Sequence, residues 1–199
     1  MPLPRDRINW ETLDFLPVVK LPEDYVVLDL SSGDWSAPET GFCIGKYDEL
    51  RPNMYITDLF GGDRNVHIGV DIGGPIGTPC MSFMDGEISH FGYNPEPGDY
   101  GNVIITKHEV GGVFFWALYG HLDSSSIEDK IVGQRISAGE IIGHFGNKFE
   151  NGGWGPHLHF QLSLIEPETH DMPGVVSLED REQSLLDYPD PRLVLGPIY

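Results

Sequence analysis

The chain has 199 residues, 40% of them hydrophobic, and sets 31 Asp and Glu against 12 Lys and Arg for a net charge of −19. That length and apolar content suit one domain with extensions that buries a core without disulfide staples, and they exclude a disordered chain. The acidity is spread along the sequence, which excludes a nucleic-acid binder with its basic face and argues against long residence on an anionic membrane or wall polymer.

Residues 1–60 hold short apolar pieces, Val18-Val19 and 25–28, between prolines and acids. They read as an N-terminal extension packing on the core, and no chemical constellation appears in them. Arg5 and Arg7 are not followed by an apolar run, so no secretory signal is visible and a cytoplasmic location is the default expectation; removal of a leader would leave export open. No run approaches the roughly 18 apolar residues of a membrane span. Cys43 and Cys80 are too few for a disulfide framework and form no CxxC, so two buried free thiols are expected.

Residues 61–165 hold most of the glycines and seven of the eight histidines, and they read as antiparallel β. Asp85-Gly86 marks a turn between 81–84 and 87–91. The stretches 102–108 and 113–119 are strands by their β-branched and aromatic content, joined by a Gly111-Gly112 hairpin turn. Turns and short strands alternate over 133–143, and 157–162 is a strand of strictly alternating polar and apolar residues. The expected fold class is mainly β: a compact antiparallel sandwich or barrel-like core with irregular N- and C-terminal extensions. Residues 166–199 form the second extension, rich in Pro, Asp and Glu, with a short helix near 178–186.

Chemistry concentrates at three places in the middle zone. In His157-Leu-His159 a strand puts both imidazoles on one face and turns Leu158 and Phe160 toward the core. His67 and Asp71 would lie roughly 13 Å apart along a straight strand, too far to share a metal at about 2 Å per bond. A helix would bring them to roughly 6 Å, but Gly69 and the following Gly73-Gly74-Pro75 are poor helix material. The workable geometry is a chain bent near Gly69, with His67 on a loop and Asp71 entering a strand. His121 ends an apolar strand, where a polar side chain can face a cleft. Two histidines and one aspartate make a three-ligand set suited to catalytic zinc, with the fourth position left for water. Two histidines then remain for proton transfer and for the developing oxyanion.

The ordered motifs His67-Ile-Gly-Val-Asp71, Tyr119-Gly-His-Leu122 and Gly155-Pro-His-Leu-His-Phe160 resemble the lysostaphin-type (LytM-like) family of peptidoglycan zinc metallo-endopeptidases. The resemblance covers roughly residues 61–165. It implies one Zn2+ per chain, with His67, Asp71 and His159 as ligands and His121 and His157 as the catalytic pair. It further implies a small antiparallel β core and hydrolysis of a peptide bond in a small-residue peptide, of peptidoglycan stem or cross-bridge type. Asn151-Gly-Gly-Trp-Gly-Pro156 with the HxH also resembles a subgroup found joined to aminotransferase-like proteins. The competing class is a metal-binding but non-catalytic binding or regulatory module of the same fold. Expected partners are a peptide or peptidoglycan-derived substrate, with no nucleic acid and no membrane insertion. His108 and Trp154 are candidates for the substrate cleft or for orienting a catalytic group, with a core position the other reading of His108 and loop anchoring that of Trp154.

Overall fold

The computed structural model describes residues 8–33 and 41–199; Arg5 and Arg7, read above for a signal, lie outside the described residues. In chain order the strands are β1 (Val26–Val27), β2 (Cys43–Gly45), β3 (Glu49–Leu50), β4 (Val66–His67), β5 (Val70–Gly73), β6 (Pro79–Met81) and β7 (Gly86–Asn94). They continue with β8 (Gly101–Val110), β9 (Val113–Leu122), β10 (Arg135–Ile136), β11 (Ile141–His144), β12 (His157–Ser163) and β13 (Val175–Val176). Short helices α1 (Ser125–Glu128), α2 (Arg181–Asp187) and α3 (Arg192–Leu195) cap the later part of the chain. No helix among the described residues is long and apolar enough to cross a membrane. The fold is mainly β, as the sequence reading expects.

The main sheet runs β1-β2-β5-β12-β9-β8-β7-β10, antiparallel except for the β1–β2 pair. The β8–β9 hairpin closes on the pair Val110–Val113, and Gly111 and Gly112 both have positive φ, 57° and 79°, as the tight turn between twisted strands requires. Both strands outrun the expected 102–108 and 113–119, because β8 and β9 are buried along most of their length and cross-strand packing continues past the β-branched core.

β12 is a central strand. His159 pairs with Asp71 of β5 on one side and with Gly120 of β9 on the other. Its alternation sorts the two faces: Leu158, Phe160 and Leu162 are fully buried in the main core with Phe83, Phe115 and Tyr119, while His157, His159 and Gln161 take the opposite face. Each buried Leu or Phe contributes about 1.5–3 kcal/mol, so the register that buries these three also fixes where the histidines point.

The flanking segments join this core. β2 pairs with β5, bringing residues 43–45 alongside Asp71. β4, which carries His67, is the middle strand of a small sheet, with β3 on one side and β13 on the other; Glu49 and Val175 are both register partners of His67. One strand from each expected extension therefore brackets the first candidate ligand. Cys43 and Cys80 are buried free thiols.

Candidate metal centre

The link between β4 and β5 answers the His67–Asp71 geometry. The chain breaks its strand at Ile68-Gly69, where Gly69 has φ 156°, and resumes at Val70. His67 Nε2 ends 3.2 Å from Asp71 Oδ1. The bend falls at the expected glycine; His67 closes a two-residue strand rather than lying on a loop, because β3 and β13 hydrogen-bond β4 from both sides. Only glycine fits at residue 69, since a Cβ there would stand 2.5 Å from Cε1 of His159.

His67 Nε2, His159 Nδ1 and Asp71 Oδ1 form a triangle with sides of 3.1, 3.1 and 3.2 Å. The hydrogen bonds made by the other ring atoms assign the protons. His67 Nδ1 faces the Lys46 carbonyl at 2.9 Å, so Nδ1 donates and Nε2 carries a lone pair. His159 Nε2 faces Gln161 Oε1 at 3.0 Å, the amide being turned this way by its own donation to the Pro173 carbonyl, so His159 Nδ1 carries a lone pair as well. Burial foremost, then the Arg51 charge, pushes the His67 pKa down to about 4, keeping that ring neutral. Burial would raise the Asp71 carboxyl, but the Arg51 guanidinium beside it helps hold it well below the usual carboxylate range. Two lone pairs and one carboxylate oxygen thus converge with no proton among them, an arrangement that calls for a cation. Donors bound tetrahedrally at about 2 Å stand roughly 3.3 Å apart, so the triangle fits one such ion. The three residues form a cluster that could hold a metal ion.

Beside this triangle stand His121 and His157, with ring centroids 4.1 Å apart and planes inclined at 34°. His121 Nδ1 donates to the Asn151 carbonyl at 2.8 Å, and His157 Nδ1 to the Gly155 carbonyl at 2.7 Å. Each ring therefore presents an unprotonated Nε2; that of His157 lies 3.8 Å from Asp71 Oδ1. Burial is the largest cause holding both pKa values below the ordinary histidine value, reinforced for His121 by the charges of His157 and His159. His121 lies inside β9 with φ 64°, a left-handed backbone unusual for a non-glycine residue. Its own N–H donates to the Tyr100 carbonyl and its carbonyl accepts from Gly146, so the surrounding loops hold the strained residue in place.

The five residues line one pocket of about 350 Å3. Tyr100 forms its floor: the ring lies 5.2 Å from His159 and 5.5 Å from His121, and its hydroxyl donates to the Met172 carbonyl. Tyr55, Phe60 and Trp154 make an aromatic wall, with Tyr55–Phe60 centroids 5.0 Å apart and Tyr55–Trp154 6.1 Å. Trp154 Nε1 donates to the Gly98 carbonyl, which fixes the ring as part of the wall. Glu168, Thr169 and residues 171–175 also line the pocket.

His108 lies outside the pocket and takes the core position, one of the readings its strand left open. It is 1% exposed, bonded to Thr106 Oγ1 at 2.7 Å and the Asp85 carbonyl at 3.0 Å, and packed on Phe83 with centroids 4.4 Å apart. Residue 108 faces the main core, away from the β12 histidines. Residues 1–60 are also richer in chemistry than their sequence suggests. Arg51 is fully buried and donates from Nη1 to Asp71 Oδ2 at 2.7 Å and to the Tyr55 hydroxyl at 2.9 Å, from Nε to Glu49 Oε2 at 3.0 Å, and from Nη2 to the Lys46 carbonyl at 3.2 Å. The one sequence signal was the opposite charges of Glu49 and Arg51 at strand spacing, which is common on solvated edges.

Fold and site together define a class: an antiparallel β protein with an open two-histidine, one-aspartate cluster and two further histidines in the same pocket. The chain belongs to peptidase family M23, whose sequence profile matches residues 65–170. Among curated proteins it is 35% identical over 99 residues to the DD-carboxypeptidase/endopeptidase Mpg of Neisseria meningitidis serogroup B, covering 50% of this chain and 20% of that protein. It is 37% identical over 102 residues to the cell division protein DipM of Caulobacter vibrioides, covering 51% and 15%. The matched segments thus span a fifth or less of those relatives. Among solved structures, the catalytic domain of the antimicrobial peptidase lysostaphin from Staphylococcus simulans superposes with a TM-score of 0.50 at 28% identity, covering 77% of this chain and 92% of that one.

Proposed function

We propose that the chain is a zinc-dependent metallo-endopeptidase that hydrolyses a peptide bond in a small-residue peptide of the peptidoglycan stem or cross-bridge type. The observation that carries the reading is the proton-free triangle of His67 Nε2, His159 Nδ1 and Asp71 Oδ1 beside two histidines with open Nε2 atoms. Zinc held by three such ligands supplies the Lewis acidity that polarises a peptide carbonyl and makes water nucleophilic at neutral pH.

The chain's own groups supply the rest. His157, whose Nε2 faces the ligand triangle, accepts the proton of the attacking water. That proton passes from His157 to the leaving amine, while His121, neutral and pinned at Nδ1, takes the second proton of the attacking water at Nε2 and, once protonated there, hydrogen-bonds the charge left on the former carbonyl oxygen. The Asn151 and Gly155 carbonyls stabilise each imidazolium as it forms, because the Nδ1–H they accept becomes more acidic. A pocket of about 350 Å3 with an aromatic wall takes a short peptide segment. The family and the endopeptidase names among the relatives support a peptidoglycan-type peptide, and a net charge of −19 favours soluble wall fragments over the intact anionic polymer.

The test is hydrolysis of glycine- and alanine-containing peptides and soluble wall fragments by wild-type protein, by chelator-treated protein and by His121→Ala. Cleavage that chelation abolishes and zinc restores supports the reading. Stoichiometric zinc without turnover of any of these substrates would replace it with the non-catalytic binding module.

A further inference from the structure

We propose that Arg51 is a positioning residue for the metal site: it occupies one carboxylate oxygen of Asp71 so that the other oxygen alone is left for the ion. The inference rests on the zinc site proposed above and deepens it. Asp71 divides its oxygens between Arg51 and the two histidines. Oδ2 accepts from Arg51 Nη1 at 2.7 Å, while Oδ1 faces His67 Nε2 at 3.2 Å and His159 Nδ1 at 3.1 Å. A carboxylate free to turn would offer both oxygens to a cation. With Oδ2 held, Asp71 binds through one oxygen, and the position opposite the protein ligands stays open for substrate and water.

Arg51 can impose that orientation because it is itself held on every side. Glu49 takes Nε, Tyr55 and Asp71 share Nη1, and the Lys46 carbonyl takes Nη2. The same Lys46 carbonyl accepts Nδ1–H of His67, so one backbone oxygen steadies both a ligand and the residue that orients another ligand. Gly45 makes the room: a Cβ there would stand 2.7 Å from Arg51 Nη2 and 3.2 Å from Asp71 Oδ2. The Lys46–Glu49 pair at 3.3 Å completes a set in which two cations face two carboxylates. The planar guanidinium suits the task, since its donors are rigidly spaced where an ammonium is a single point charge.

Charge and geometry make opposite predictions, which renders the inference decisive. As a charge, a cation beside a ligand repels a divalent ion, so its removal would tighten zinc binding. As an orienting group, its removal would loosen binding by about 10–100-fold, the usual cost of losing a partner that orients a ligand. The experiment measures zinc affinity by competition with a chromophoric chelator for wild type, Arg51→Met, Arg51→Lys and Glu49→Gln, each checked by circular dichroism and thermal melting. The expected result is a loss of about 10–100-fold for Arg51→Met, a loss of the same sign for Arg51→Lys, which keeps the charge but not the fork, and a smaller loss for Glu49→Gln.

The Co2+-loaded proteins give a second readout that a merely structural role would not move. The intense visible bands of a four-coordinate site should weaken in Arg51→Met and Arg51→Lys as Asp71 turns to bind through both oxygens. If Arg51→Met does not fold, the lysine and Glu49→Gln variants carry the test alone. Unchanged or tighter zinc binding with an unchanged Co2+ spectrum in the folded variants overturns the inference while leaving the zinc site standing. A wild type that binds no zinc overturns both.

Discussion

The imidazoles of His121 and His157 lie 4.1 Å apart, and each is fixed through Nδ1 to a backbone carbonyl, so that neither ring can turn its Nε2 away from the pocket. Neither residue belongs to the ligand triangle. Their substitution should therefore separate catalysis from metal binding. His121→Ala and His157→Ala are each expected to keep stoichiometric zinc while kcat falls by about 10²–10⁴. Atomic emission for metal content and a fixed-time peptide assay check both halves; loss of metal in either variant would place that histidine among the ligands instead.

Gly69 is the residue on which the triangle turns. Its φ of 156° and the 2.5 Å approach of a Cβ to the His159 ring leave no room for a side chain. Gly69→Ala is expected to cost about 1–3 kcal/mol of stability and to displace His159 from His67, lowering metal content. Melting temperature and bound zinc per chain measure the two effects; a variant with wild-type values for both would show that the bend tolerates a side chain.

Stability toward acid has a source outside the site. Burial holds His108 at a pKa of about 4, against 6.5 for a free imidazole. The native state leaves it neutral while the unfolded chain protonates it below pH 6.5, so the unfolded state binds more protons across that window. Stability is present above pH 6.5 and is lost as pH falls toward 4, by roughly 3 kcal/mol for this one group. Urea titrations at several pH values should show the acid loss reduced by about that amount in His108→Gln. An identical slope in wild type and variant would remove His108 from the account.

For Trp154 the proposed role is with substrate rather than with the chemistry. It lines the pocket beside Tyr55 with its Nε1 tied to the Gly98 carbonyl, and it is not a member of the ligand triangle. Trp154→Ala is expected to raise KM several-fold, roughly the 0.5–1.5 kcal/mol of a lost aromatic contact, with kcat little changed. A fall in kcat at constant KM would instead make the loop part of the catalytic arrangement.

Much of this site was legible in the sequence because strands read out in simple ways. The alternation of His157 to Leu162 assigned Leu158, Phe160 and Leu162 to the core and the histidines to the other face, and the structure keeps that division. Gly69 announced the bend because no other residue type accommodates it between His67 and Asp71. Arg51 escaped notice because its partners arrive by tertiary pairing: Asp71 is 20 residues away and the intervening segment carries no periodic signal. The part of the lining formed by Tyr55, Phe60 and residues 171–175 was hidden for the same reason, since irregular segments reveal their facing side chains only once folded around the sheet. For His108 a core position and one beside the cleft both stayed open, because a histidine on a strand gives no sign of which face its register will bury.

The most direct measurement is the rate of peptide cleavage as zinc is removed from the wild-type protein and returned. The account predicts one zinc per chain at full activity, loss of cleavage in parallel with loss of metal, and recovery at one equivalent. Cleavage that persists in fully metal-free protein, or a chain that takes up no zinc at neutral pH, would contradict it.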